Sequence, residues 1–149
     1  MRPMTDFLAT IQQITKLHES MLKDICMEHG LSLLEAKVLS FLHNNPDRDT
    51  AADIVELRML PKGNVSQAVE SLVQKQLLSR RPDTVDRRRI HLSLTEPAAP
   101  IVLDLDVLRV RFQAAVFANI SPEEQQQFEQ IYRRLGENTR NAMNKGAKL

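Results

Sequence analysis

Two short stretches hold the residues best suited to directed contact with another molecule. The first is Pro61-Lys62-Gly63-Asn64-Val65-Ser66-Gln67. Asn64 and Gln67 each carry a donor and an acceptor in one planar group, a fork that matches the edge of adenine. Lys62 can reach a phosphate or a guanine, Ser66 can bond either a phosphate or a base edge, and Gly63 allows close backbone approach. The second stretch is Asp86-Arg87-Arg88-Arg89. Arginine suits a narrow minor groove, where the negative potential is deepest. A carboxylate beside phosphates is out of place unless it holds an arginine, and a bidentate pair with a guanidinium would do that.

Charge is distributed in the same sense. The net charge of +1 hides a division along the chain: residues 1–57 hold five Lys/Arg against nine Asp/Glu, whereas residues 58–95 hold eight against three. Residues 96–149 balance at seven of each. A local basic segment is a better pointer to nucleic acid than total charge. Enzyme chemistry is not indicated. There is no Gly-rich phosphate loop, no nucleophile elbow and no carboxylate or Cys/His cluster in a suitable context. No cofactor is expected. His18, His29, His43 and His91 have no metal-ligand spacing, so no metal is expected either. The single Cys26 excludes an internal disulfide. It reads as a small buried hydrophobe, and Asp24 and Glu28 nearby would raise its pKa; a redox-sensing thiol is the alternative. Met21 and Met27 either fill the core or line a ligand pocket.

These residues need a scaffold. Met4, Phe7, Ile11, Ile14, His18, Met21 and Ile25 recur at steps of three or four, predicting a helix from about Met4 to His29 that ends at Gly30. Ser32 and Glu35 form a capping box ahead of a second helix, with Ala36, Leu39 and Leu42 inward. A short third helix starts near Asp49 or Thr50, with Ile54 and Leu57 inward. After a turn at 58–60, a fourth begins at Pro61 or Lys62 and runs to about Gln76, with Val65, Ala68, Val69, Leu72 and Val73 on its core side. Leu77–Arg81 and Arg89–Leu94 read as a strand pair around a loop, with Ile90, Leu92 and Leu94 sharing the buried face. Thr95 would cap a helix reaching about Ala118, with Ile101, Leu105, Leu108, Phe112 and Val116 on one side. Ser121-Pro122-Glu123-Glu124 starts the last helix, which carries Phe128, Ile131, Leu135 and Met143.

The expected fold is mainly α with a small two-stranded β wing: a winged helix-turn-helix flanked by long dimerisation helices. At 42% apolar and 4% aromatic, the 149 residues can build one aliphatic core, and a single domain is expected. The long helices carry more apolar surface than that core needs, which points to a two-fold partner. No stretch has the length of a membrane span and the start lacks the apolar run of a signal peptide. The expectation is therefore a cytoplasmic protein without a membrane partner.

From Leu31 to Thr95 the chain resembles the multiple-antibiotic-resistance regulator (MarR) family. The wing pattern of that family appears as Asp86, Arg88, Leu92, Leu94 and Thr95, and the recognition helix as Val65-Ser66, Val69 and Leu72, followed by Leu77 and Arg80. The resemblance implies a DNA-binding lobe over about 31–95, with dimerisation helices over about 1–30 and 96–149. It implies that Arg88 enters the minor groove and that Asp86 orients it. It further implies a homodimer on a palindromic operator, most often a repressor, that a small-molecule effector releases in many members. Three positions depart from the pattern. Pro61 stands where Ser or Thr is common, Gln76 replaces the usual Gly before Leu77, and no Gly follows Thr95. A winged-helix module that binds protein is the other reading, but it would not need Asn64, Gln67 and a basic wing.

Overall fold

The computed structural model describes residues 4–146, with side chains from Asp6 onward. The elements are α1 (Met4–His29), α2 (Leu33–Asn44), α3 (Ala51–Arg58), α4 (Lys62–Gln74), β1 (Leu78–Pro82), β2 (Ile90–Leu94), a 3-10 turn at Glu96–Ala98, α5 (Ala99–Val116) and α6 (Pro122–Asn144). One compact unit ends at Phe112 and a second begins at Gln113.

Helix boundaries follow local chemistry. Ser32, Thr50 and Ser121 each cap a helix, accepting from the backbone amide three residues on, while Glu35, Asp53 and Glu124 return the bond to the cap. At the end of α1, Gly30 adopts φ 66° and the Leu31 amide reaches back to the Cys26 carbonyl at 2.9 Å. The end of α4 is built the same way without a glycine. Gln76 sits at φ 63°, its amide bonds Val73 O, and the Leu77 amide bonds Leu72 O, both at 2.9 Å. A left-handed residue is thus required where the sequence departs from the family's glycine.

The core of the first unit is aliphatic. Leu22, Val38, Leu39, Ile54, Val65 and Leu72 are its largest fully buried side chains. Removing a side chain of that size from water stabilises the fold by about 1.5–3 kcal/mol. These residues fix α2, α3 and α4 against the C-terminal half of α1. The Ser71 hydroxyl of α4 and the ammonium of Lys75, its C-cap, both donate to the buried carboxylate of Glu35 on α2, at 2.8 and 3.0 Å.

The two strands are antiparallel, with Leu78 opposite Leu94 and Pro82 opposite Ile90. The outer edge of β2 is not bare: the Leu92 amide donates to Asp49 O at 2.8 Å, tying β2 to the loop before α3.

Three expectations are corrected. Leu57 is exposed, because α3 is only two turns long and meets the core through Ile54, with Ala51 and Val55 partly buried beside it. Ile90 is also exposed, at the far end of the hairpin beyond the core; of its face, only Leu92 is fully buried and Leu94 partly so. Thr95 does not cap with its side chain. Its hydroxyl donates instead to Gln76 O at 2.6 Å, and the chain passes through the 3-10 turn before α5 starts at Ala99. The expected stripe on α1 does carry apolar surface beyond the core: Ile25 is buried and Met21 partly so, while Phe7, Ile11 and Ile14 are exposed. Met4, at its head, lies outside the described side chains.

Candidate nucleic-acid interface

Helix α4 separates its two faces cleanly. Val65, Ala68, Val69 and Leu72 are buried, while Lys62, Gly63, Asn64, Ser66 and Gln67 are exposed. The burial holds the helix from behind, so every polar group of its first turn faces solvent. Pro61 is the N-cap, with ψ 135°, and supplies no side-chain hydrogen bond. The first amides of α4 therefore point outward without a cap, a charge pattern that favours an anion. Among the described residues, the side chains of Lys62, Asn64, Ser66 and Gln67 make no hydrogen bond or ion pair. One turn further along, Glu70 is engaged by Arg80 of β1 at 2.8 Å.

The wing turn is ordered by two aspartates. Asp83 Oδ2 accepts the amides of Val85 and Asp86, at 3.0 and 2.8 Å. This is an Asx-type turn, in which a side chain replaces a backbone acceptor. Asp86 Oδ1 then accepts both the backbone amide of Arg88, at 3.1 Å, and its Nε, at 3.2 Å. The expected Asp86–Arg88 pair is present, but it is not a bidentate clamp on the guanidinium. One oxygen takes Nε and the main chain, which leaves the two terminal nitrogens of Arg88 directed outward. Arg88 is 93% exposed against 40% for Asp86. Arg87 and Arg89 are exposed and, among the described residues, make no side-chain hydrogen bond or ion pair.

Three features here were invisible from residue type. Val85 occupies the wing tip with 92% of its side chain exposed. Arg81 is exposed on β1, in register with His91. His91 itself bridges two carboxylates: Nδ1 lies 2.8 Å from Asp49 Oδ1 and Nε2 lies 2.7 Å from Asp83 Oδ1. Hydrogen bonds to Asp83 and then Asp49 raise the His91 pKa above its ordinary value. The same arrangement holds Asp83 far below the usual carboxylate range, through the Asp86 amide first and His91 second. The signal was present as an alternation of polar and apolar residues in β2, but pairing across 42 residues is not readable from spacing.

The remaining candidates lie elsewhere. Cys26 is buried and its thiol donates to Ser32 O at 3.4 Å. Burial raises its pKa and Glu35 adds to that; Asp24 and Glu28, the expected neighbours, are not the cause. His29 and His43 pair with Asp104 and Asp106 of α5, at 2.6 and 2.8 Å. Glu28, His29 and Asp104 also bring ligand-type atoms within 4.8 Å of one another, a proximity that sequence spacing could not foresee. His29 and Asp104 are already joined to each other by a hydrogen bond, and Glu28 is exposed. No described helix is long and apolar enough to cross a membrane.

Comparison with known proteins bears on the whole chain. Residues 29–89 match the profile of the MarR family. The HTH-type transcriptional regulator MhqR of Bacillus subtilis is 26% identical over 139 residues, covering 93% of this chain and 94% of MhqR. Among solved structures, the transcriptional regulator PA3341 superposes with a TM-score of 0.78 at 22% identity, covering 91% of this chain and 98% of that one. A MarR-family transcriptional regulator from Silicibacter pomeroyi gives 0.74 at 20% identity, covering 87% and 86%. At these identities the two structures speak for the fold.

Proposed function

We propose that this chain, which is similar to winged-helix transcriptional regulators of the MarR family, binds a palindromic operator as a homodimer and represses transcription in the cytoplasm. One α4 per half-site lies in the major groove, where Asn64 and Gln67 read base edges and Lys62 and Ser66 contact phosphate or bases. The wing lies over the adjacent minor groove. Arg88, held by Asp86, enters it, and Arg87 and Arg89 bond flanking phosphates. The observation that carries this reading is the pairing of the Arg88 side chain with Asp86 through Nε, alongside the Arg88 backbone amide, which orients the side chain and leaves its outer nitrogens for DNA. The exposed first turn of α4, with its uncapped amides, supports the same interface.

The dimer is supported by apolar side chains exposed on α1 and α6. Phe7, Leu8 and Ile11 lie on the first, and Phe128, Ile131 and Leu135 on the second. Burying them against a second copy removes a large apolar area from water. A small-molecule effector that releases the operator belongs to the same reading.

The test is a footprint of the purified protein on the DNA upstream of its own gene. Protection of an inverted repeat, one protomer per half-site, is the expected result. Equal protection of all sequences would reduce the protein to a non-specific DNA binder. No protection of any DNA would favour the protein-docking module instead.

A further inference from the structure

The wing is fastened at its base by a histidine bridge that no DNA-contacting role explains. His91 presents both ring nitrogens to carboxylates, at 2.8 Å from Asp49 and 2.7 Å from Asp83. A neutral imidazole has one donor, whereas an imidazolium has two, so only the charged ring satisfies both partners. The two carboxylates belong to different parts of the fold. Asp49 precedes α3, and its carbonyl also accepts the Leu92 amide of β2. Asp83 opens the wing turn, and its second oxygen accepts the amides of Val85 and Asp86. Asp86 in turn holds Arg88. A continuous path therefore runs from the α3 loop through His91 and Asp83 to the side chain assigned to the minor groove.

We propose that His91 is a positioning residue for DNA binding: as an imidazolium bridging Asp49 and Asp83 it fixes the wing turn that carries Arg88, and operator affinity falls when it loses its proton. The charged groups facing His91 are Asp49, Asp83 and, across the strand pair, Arg81. The aspartates favour the charged ring and outweigh Arg81, which opposes it. Asp83 stays ionised throughout the neutral range. The sign follows. A histidine stabilised in its charged form contributes order below its raised pKa and loses it as pH rises through that value. Loss of the proton also removes one positive charge beside the DNA, in the same direction.

This inference rests on the wing contacting DNA, so its test separates the two. Operator affinity is measured from about pH 5 to about pH 9 for the native protein, for His91→Gln and for Arg88→Ala. In parallel, amide exchange of Val85 and Asp86 is followed in the free protein across the same range. The native protein is expected to lose affinity by about tenfold on the alkaline side, with faster exchange of both amides in step with the His91 ring titration. In His91→Gln the alkaline loss disappears and affinity is low throughout. In Arg88→Ala the alkaline loss shrinks to the residual effect of charge. Retention of the native pH profile in His91→Gln overturns the proposal, as does amide exchange indifferent to the ring titration. An Arg88→Ala protein that binds like the native one overturns the wing's contact with DNA, and the exchange data then still decide whether His91 orders the turn.

Discussion

Asp86 holds Arg88 through a single oxygen. Its Oδ1 accepts the arginine's own backbone amide and its Nε, at 3.1 and 3.2 Å, so side chain and main chain are fixed relative to each other. The pair is exposed, and in the free protein it adds little to stability. Its value is orientation ahead of binding, since a guanidinium already aimed outward loses less freedom when it meets DNA. Arg88→Ala is expected to weaken binding to most sequences and to lower the dependence of log affinity on log salt by about one unit. Mobility shifts or anisotropy titrations at several salt concentrations measure both. An unchanged slope would remove Arg88 from the set of phosphate and minor-groove contacts.

Asn64 should behave differently. It stands exposed on the first turn of α4 with Val65 buried directly behind it. Asn64→Ala is expected to cost about 1–3 kcal/mol on the operator and to relax preference at one base pair per half-site. Competition with operators altered at single positions would show it. An equal loss on every sequence would mark Asn64 as a phosphate contact. Lys62→Ala serves as the comparison, because a phosphate contact lowers affinity uniformly.

Much of this was legible in the residues. Capping boxes at Ser32 and Ser121, the glycine stop at Gly30 and the apolar spacing of α4 are local signals, each decided within a turn or two of chain. Leu57 and Ile90 are exposed against expectation because helical spacing or alternation gives a face but not how far the core extends along it. Thr95 looks like a cap from its position before Pro97; its hydroxyl is taken by Gln76, nineteen residues away. In the sequence His91 is one of four scattered histidines, and its pairing depends on the hairpin bringing Asp83 and the α3 loop to opposite sides of one ring. Local chemistry was readable, and convergence of distant segments was not.

The helix ends give a paired test of backbone strain. Gly30 and Gln76 occupy equivalent left-handed positions, at φ 66° and 63°. A Cβ at Gly30 would meet nothing within 4 Å, so the cost of Gly30→Ala is conformational alone. It is expected to destabilise by about 1 kcal/mol, whereas Gln76→Gly should stabilise by about 0.5–1 kcal/mol. Urea denaturation would resolve the two opposite signs. Destabilisation by Gln76→Gly would show that the glutamine side chain contributes something beyond accommodating the turn.

The dimer can be tested on each helix separately. Ile11 on α1 and Ile131 on α6 are both exposed in the single chain. A charge at either half-exposed position costs little in the protomer and is expensive in a buried interface. Ile11→Glu and Ile131→Glu should each shift the protein toward monomer in sedimentation and weaken operator binding, with helix content unchanged. A variant that remains dimeric would exclude its helix face from the interface.

Glu35 offers the clearest dependence of stability on pH. Its carboxylate is buried, which by itself favours the protonated form. Hydrogen bonds from the Ser32 amide, Lys75 and Ser71 overcome this and bring its pKa below the ordinary value. A carboxylate depressed in the folded state contributes stability above its unfolded pKa and loses it as pH falls through the folded one. Glu35→Gln keeps the shape but removes the charge that Lys75 pairs with, 3.0 Å away. It is expected to cost about 1–3 kcal/mol at neutral pH, since a charge-assisted pair joining α2 to α4 is lost. The gap between native and variant should narrow in acid, where the native carboxylate takes up a proton. Denaturation curves at neutral pH and near pH 3 would measure both values. A gap that stayed constant would mean that Glu35 acts through shape and not through its charge.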